Sequence, residues 1–304
     1  MTLLALLIGL VVERLATQLF HLRRLRWLDH LIDLGFRQVG RFANWPAMIP
    51  IVLLALLLIL PVFLVLFSLQ DALYGVANLV LAIVVLFFSL GPKDIGEDVD
   101  EYCRAIEADD EERLRNTSKA LIEMDVPTDP FERIKRVEEA VCIQANNRLF
   151  AVIFWFVLFG PYGPLGAWAY RVTDLLRRRA VFNAARDDAN TNATVLQATV
   201  TLHGWLAWIP ARLTAIGYAM AGSFDGALSA WRNPGESKAM SPTEQSESLL
   251  ARVGVGAMSL RDIDNESISE RSVRGATAAN GLVFRLLFIW AAVIAAMTLY
   301  GWSV

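Results

Sequence analysis

Pro46–Leu69 reads PAMIPIVLLALLLILPVFLVLFSL and carries no ionisable side chain. A helix needs roughly 20 residues to cross a bilayer core, and this run is long enough. Gln70 and Asp71 interrupt it, and it resumes from Leu73 to Leu90 as LYGVANLVLAIVVLFFSL, again uncharged, before Gly91, Pro92 and Lys93. A bilayer offers no water to backbone N–H and C=O groups, so two such runs with so short a polar break form a helical hairpin. The chain reads as an integral membrane protein.

Composition agrees. Of 304 residues, 55% are hydrophobic and 19% charged, more apolar than a typical soluble domain, and the mean hydropathy is +0.43. A net charge of -3 gives no basic footprint for nucleic acid, and that partner class is excluded. Cys103 and Cys142 lack the close spacing of a zinc or redox motif and read as plain thiols. The opening MTLLALLIGLVVERL has no basic n-region and no small-residue cleavage site, so it reads as a retained helix rather than a signal peptide.

Outward from the hairpin, His21 to Arg41 holds Arg23, Arg24, Arg26, Arg37 and Arg41 against Asp29 and Asp33. Positive charge beside spans marks the cytoplasmic side. This puts the N-terminus and the Gln70-Asp71 turn outside and Lys93 inside. From Lys93 to Arg148 the chain is polar, with an acidic run Asp109–Glu112 that reads as a solvated face or a helix start. Ile134, Val137 and Val141 recur at helical spacing, which predicts an amphipathic helix from Phe131 to Asn146 with Glu132, Lys135, Arg136, Glu138 and Glu139 solvated.

The apolar stretch Leu149 to Tyr170 is broken by Gly160-Pro161-Tyr162-Gly163-Pro164. As a full span it would place Arg171 and Arg177, Arg178 and Arg179 outside; as a re-entrant hairpin it returns them to the cytoplasm, which the charge bias favours. Val195 to Gly222 is apolar but holds His203, Pro210 and Arg212, and is expected as a helix pair in the interface or facing the bundle interior. Residues 223–280 are polar, and Gly281 to Trp302 is a last span with Trp290, Tyr300 and Trp302 suited to interface anchoring. The expected fold class is all-α, a polytopic helical membrane protein with four to six membrane segments and a helical cytoplasmic domain. The expected divisions are 1–92, 93–148, 149–222, 223–280 and 281–304.

Familiar catalytic signatures do not occur: no GxxxxGK(S/T), no GxSxG, no HExxH. His21, His30 and His203 are scattered, and no catalytic residue or metal site emerges. What rises above background is polar groups in apolar surroundings. Glu13 needs a cationic or hydrogen-bonding partner, and Arg212 an acceptor, if they are buried.

Motifs along most of the chain carry a resemblance: Glu13-Arg14-Leu15, Trp27-Leu28-Asp29-His30, Asn147-Arg148 ahead of Phe154-Trp155, Gly163-Pro164 with Tyr170, Trp208-Ile209-Pro210-Ala211-Arg212-Leu213, Tyr218-Ala219, Ala230-Trp231 and Leu250-Ala251-Arg252. In these the chain resembles the AmpE family of bacterial inner-membrane proteins. The resemblance implies a sensor or regulator linked to cell-wall recycling and β-lactamase induction. That family is similar in turn to the CobD/CbiB membrane enzymes, which join an amino-alcohol phosphate to cobyric acid with ATP. Ile209–Ala215 is the strongest shared block. Where those enzymes carry acids and an asparagine, this chain has His203-Gly204, Ala207 and Ile143-Gln144. Carboxylates are what magnesium-ATP binding or general base chemistry would use, so the resemblance implies a retained scaffold without synthetase chemistry.

The ligand-binding or bundle-interior candidates are therefore Glu13, Arg14, Asp29, His30, Asn147, Arg171, His203 and Arg212. The expected cavity lies beneath the Gly-Pro break, framed by Glu13, Asn147, Arg171 and Arg212. The expected partners are the lipid bilayer and a cell-wall-derived or nucleotide ligand, with room for a homo-oligomer. No cofactor and no protein partner is named by the sequence.

Overall fold

The computed structural model describes residues 25–39, 46–68, 76–91, 94–123, 125–186, 193–233, 241–261 and 263–300. Among these all regular structure is helical. Helix α1 (Arg26–Val39) is followed by α2 (Met48–Ser68), α3 (Val76–Ser89), α4 (Ile95–Glu107) and α5 (Glu111–Ile122). Then come α6 (Pro130–Leu158), α7 (Gly163–Ala184), α8 (Ala193–Ala221), α9 (Phe224–Arg232), α10 (Pro242–Met258) and α11 (Ile268–Leu299).

Helices α2, α6 and α11 are long and apolar enough to cross a membrane, and α3 is a shorter apolar helix. Only 28% of the apolar window of α2 and 22% of that of α11 is buried inside the protein, against 67% for α6. The first two therefore leave an apolar flank uncovered, with Leu53, Leu57, Leu64 and Phe67 on α2 and Phe288 and Val293 on α11 exposed. Such a flank suits lipid. Pro61 inside α2 brings no N–H to the helical ladder; on that turn the carbonyl of Leu58 accepts a bond from Trp168 Nε1 at 3.1 Å.

The polar segments start where local chemistry tells them to. Asp94, Asp110 and Asp129 cap α4, α5 and α6, and Ser241–Glu244 and Ser267–Glu270 form capping boxes at α10 and α11. The acidic run is thus a helix start, with Glu111 and Glu112 in the first turn of α5. The N-terminal halves of α6 and α11 pack with α4, α5, α10 and the end of α8 around Val99, Tyr102, Leu121, Val141, Tyr218, Leu250, Val253 and Leu282. Residues 93–148 and 223–280 accordingly share one core. The Tyr102 hydroxyl meets Ser272 Oγ at 2.6 Å across it.

Two expectations change. The amphipathic helix from Phe131 to Asn146 does not end there. It continues through a π-turn, Asn146–Phe150, into Ala151–Leu158. Glu138 is not on its solvated face but buried and paired with Arg271, because α11 covers that side. The stretch from Val195 to Gly222 is likewise not a pair of helices: α8 is a single helix with Pro210 inside it.

The Gly-Pro break forms a short 3-10 turn, Gly160–Tyr162, with Gly160 at φ 54°, a conformation that favours glycine. The chain then turns back, so α6 and α7 form an antiparallel pair. A Cβ on Gly163 would lie 2.5 Å from the Phe156 carbonyl, and one on Gly166 2.5 Å from that of Trp155. Only hydrogen lets the two backbones come this close.

Candidate functional site

The π-turn of α6 supplies the first groups. One extra residue per turn shifts the register there, and it brings Asn146, Asn147 and Arg148 all to the interior. Asn146 Oδ1 accepts from Thr214 Oγ1 of α8 at 3.0 Å, and Asn146 Nδ2 donates to Asn147 Oδ1 at 3.0 Å. Arg148, 5% exposed, donates from Nη1 to Asp98 at 2.7 Å, from Nη2 to Glu123 at 3.2 Å and from Nε to Gln144 at 3.0 Å.

Helix α7 supplies the second set. Arg171, Asp174, Arg177 and Arg178 follow at helical spacing, so the arginines sit within one turn of the carboxylate on either side. Asp174, fully buried, accepts from Arg171 Nη1 at 2.8 Å, Arg177 Nη2 at 3.2 Å and Arg178 Nε at 2.8 Å. Arg178 also reaches Glu123 and, at 3.2 Å, Gln144. Glu123 thereby joins Arg148 of α6 to Arg178 of α7, and Glu247 of α10 lies 3.5 Å from Arg177. Four arginines and four carboxylates, from the four helices α4, α6, α7 and α10 and from Glu123 at the C-cap of α5, form a single network. Arg179 turns the other way, to Asp33 of α1, where Asn183 Nδ2 also donates at 3.1 Å.

Charge and burial act against each other here. Burial by itself raises the Glu123 carboxyl, but Arg178, Arg148 and Arg177 outweigh it and hold the group below the usual carboxylate range. The hydrogen bond from Arg179 holds Asp33 low in the same way, against its burial. Glu247 goes up: its burial outweighs the attraction of Arg177.

Of the residues expected from sequence, the structure buries Asn147, Arg171 and His203 and brings Asn147 and His203 to one side chain, Tyr170. His203 is completely buried with its ring 5.3 Å from that of Tyr170, whose hydroxyl lies 3.5 Å from Asn147 Oδ1. Arg212 is a correction: it does not frame the interior. It points outward between Trp208 and Leu213, donates from Nη1 to the Trp208 carbonyl of its own helix at 2.9 Å and stacks 3.8 Å over the Trp208 ring. This answers its need for an acceptor without any partner in the bundle. On α1 His30 is exposed and Asp29 half-buried, while Asp33 one turn later makes the contact to α7. Glu13 and Arg14 lie outside the described residues. The network is also not beneath the Gly-Pro break: Asp174 lies about 16 Å along α7 from Gly163 at 1.5 Å per residue.

Asp98, Glu123, Asp174, Arg177, Arg178 and Glu247 are not among the site residues expected from sequence. The spacing of Arg171, Asp174, Arg177 and Arg178 was a readable signal, since residues three and four apart share a helix face. The other partners carry no local signal.

A separate cavity of about 640 Å³ lies between α1, α2, α3 and Trp168, with Leu28, Leu31, Leu57, Val84 and Phe88 among its walls and Gln38 as its one amide. It carries no charge, and its chemistry is that of a lipid-facing groove. The positions that replace synthetase-type acids are occupied by packing: Ala207 is in the core, Gly204 lies where a Cβ would meet the Thr243 backbone at 2.7 Å, and Gln144 serves two arginines.

Comparison with known proteins places this arrangement. A protein CobD of cobalamin biosynthesis from Stutzerimonas stutzeri is 28% identical over 199 residues, 65% of this chain and 59% of its own. The chain thus spans about three fifths of that relative. Protein AmpE of Shigella flexneri is 27% identical over 237 residues, 76% of this chain and 78% of its own. No solved structure matches the chain. The family model described as "Regulatory signalling modulator protein AmpE" matches residues 1–304, and the chain, with its membrane-length helices and its buried arginine network, belongs to the AmpE family.

Proposed function

We propose that this protein is an inner-membrane modulator that acts in β-lactamase induction and cell-wall recycling. The observation that carries this reading is the family match along the whole chain. The network adds a physical means: Arg148, Arg178 and Glu123 link the membrane-length helix α6, the returning helix α7 and the polar core. A change at either face would have to be transmitted through these bonds. In this reading the polar core faces the cytoplasm, since Arg177 and Arg178 pair with its Glu247 and Glu123.

The test is β-lactamase activity after sub-inhibitory β-lactam exposure in a strain lacking the gene, with and without a plasmid copy. Altered induction that the copy restores is expected. Unchanged induction would refute the reading. The likeness to CobD favours a second function, amide formation in the corrinoid pathway; it predicts rescue of a strain lacking the cobinamide-phosphate synthase. The packing of His203, Gly204, Ala207 and Gln144 weighs against it, because none of the four offers a carboxylate.

A further inference from the structure

Among the described residues, the side-chain nitrogens buried without a hydrogen-bond partner are Asn147 Nδ2, Arg171 Nε, Arg177 Nε and both ring nitrogens of His203. They come from three helices but share neighbours. Arg171 and Arg177 both bind Asp174, at 2.8 and 3.2 Å, and Tyr170 touches both Asn147 and His203. Arg171 is 2% exposed, Asn147 2% and His203 0%, so bulk water does not reach them.

A guanidinium N–H and an amide NH₂ can only donate, and a neutral imidazole adds one donor and one acceptor. The unpaired groups are thus mostly donors. A buried donor left unmet costs about 1–3 kcal/mol, and several gathered in one interior call for an occupant rich in acceptors. Water brings as many donors as acceptors and leaves part of the excess standing. An oxyanion accepts only. The four carboxylates of the network already offset its four arginines, so recognition here is by hydrogen-bond geometry and not by net charge. On the polar side of the network the side chains of Arg178, Glu123 and Glu247 remain 22%, 25% and 29% exposed.

We propose that the interior bounded by Asn147, Arg171, Arg177 and His203 binds the oxyanion of a small ligand, a phosphate or a carboxylate group. This rests on the modulator reading, of which it names the signal's chemistry. Bound there, the anion shares Arg177 with Asp174 and with Glu247 of α10, so occupancy bears on the 3.5 Å contact that joins α7 to the polar core.

The test uses the full chain purified in detergent. Inorganic phosphate and acetate are titrated separately at constant ionic strength, with chloride as reference, and read by thermal unfolding and equilibrium dialysis. Saturable stabilisation by one of them is expected, phosphate pointing to a phosphate-bearing ligand and acetate to a carboxylate-bearing one. Asn147→Ala and Arg171→Lys, which keeps the charge but loses the fork, should each weaken binding at least about tenfold, while Arg212→Ala binds as the wild type. No saturable effect of either anion on the wild type overturns the proposal, whether or not the variants fold. So does unchanged binding in Asn147→Ala and Arg171→Lys. Failure here leaves the induction assay untouched, and failure of that assay with binding intact sinks the regulatory reading alone.

Discussion

Asp174→Asn is the sharpest single perturbation of this protein. The carboxylate is fully buried and accepts from Arg171, Arg177 and Arg178. Asparagine keeps the volume and one acceptor but removes the charge facing three guanidinium groups. Arginine cannot shed its proton to compensate. Breaking a buried ion pair on one side costs about 3–5 kcal/mol, and at roughly 2 °C per kcal/mol this is a fall in Tm of about 6–10 °C. Arg178 keeps Glu123 and Gln144, and Arg177 keeps Glu247 at 3.5 Å, whereas Arg171 keeps no other hydrogen bond among the described residues, so most of the loss falls on it. The assay is thermal unfolding in detergent followed by size-exclusion fluorescence, with Arg212→Ala as reference. That change removes an outward stack over Trp208 worth about 0.5–1 kcal/mol. A double variant, Asp174→Asn with Arg171→Met, should recover part of the loss, because the most isolated charge goes with its partner. A Tm for Asp174→Asn within 1 °C or so of the wild type, or no recovery in the double variant, would refute the view that the network is held by this carboxylate.

Four further outcomes are expected. The carboxyls of Glu123 and Asp33 lie low in the folded protein, so their contribution is complete at neutral pH and is lost as pH falls below their ordinary values of 4.5 and 3.8; Glu123→Gln should lower Tm at pH 7 and lose that effect in acid. Glu247 lies high, so its charged form opposes folding above its ordinary value of 4.5, and Glu247→Gln should raise Tm at pH 8 and match the wild type at pH 4; equal loss at both would show that its contact with Arg177 outweighs burial. Trp168→Phe leaves the Leu58 carbonyl of α2 without its bond from Nε1 and should cost about 0.5–1.5 kcal/mol, read by the same unfolding assay. On topology, cysteines placed at the exposed positions Arg136 and Arg186 in a background lacking Cys103 and Cys142 should react with an impermeant thiol reagent from the same side of the membrane, and labelling from opposite sides would contradict the returning hairpin.

Membrane class and the all-helical fold were settled by the sequence alone. The reason is that they are local. An uncharged run such as Met48–Ser68 has no other way to satisfy its backbone in lipid, and a Ser-x-x-Glu such as Ser267–Glu270 closes its hydrogen bonds within one turn. The Gly-Pro break of α6 and α7 was legible for the same reason. The site was legible only in part. Arg171, Asp174, Arg177 and Arg178 lie within two helical turns and could be read as a group, but their outer partners could not: Glu123 and Arg178, or Asp33 and Arg179, meet only because distant helices pack together. Tertiary structure also decided which way each charge faces. Glu138 lies on what periodicity marks as a solvated face, and α11 buries it against Arg271; Arg212 lies in an apolar helix that looks interior, and among the described residues that side of α8 has no neighbour, so the guanidinium folds back on Trp208. The π-turn that turns Asn146, Asn147 and Arg148 inward together inserts a residue that no period of 3.6 contains, and it forms because Thr214, Tyr170, Asp98 and Glu123 are there to bind what it presents.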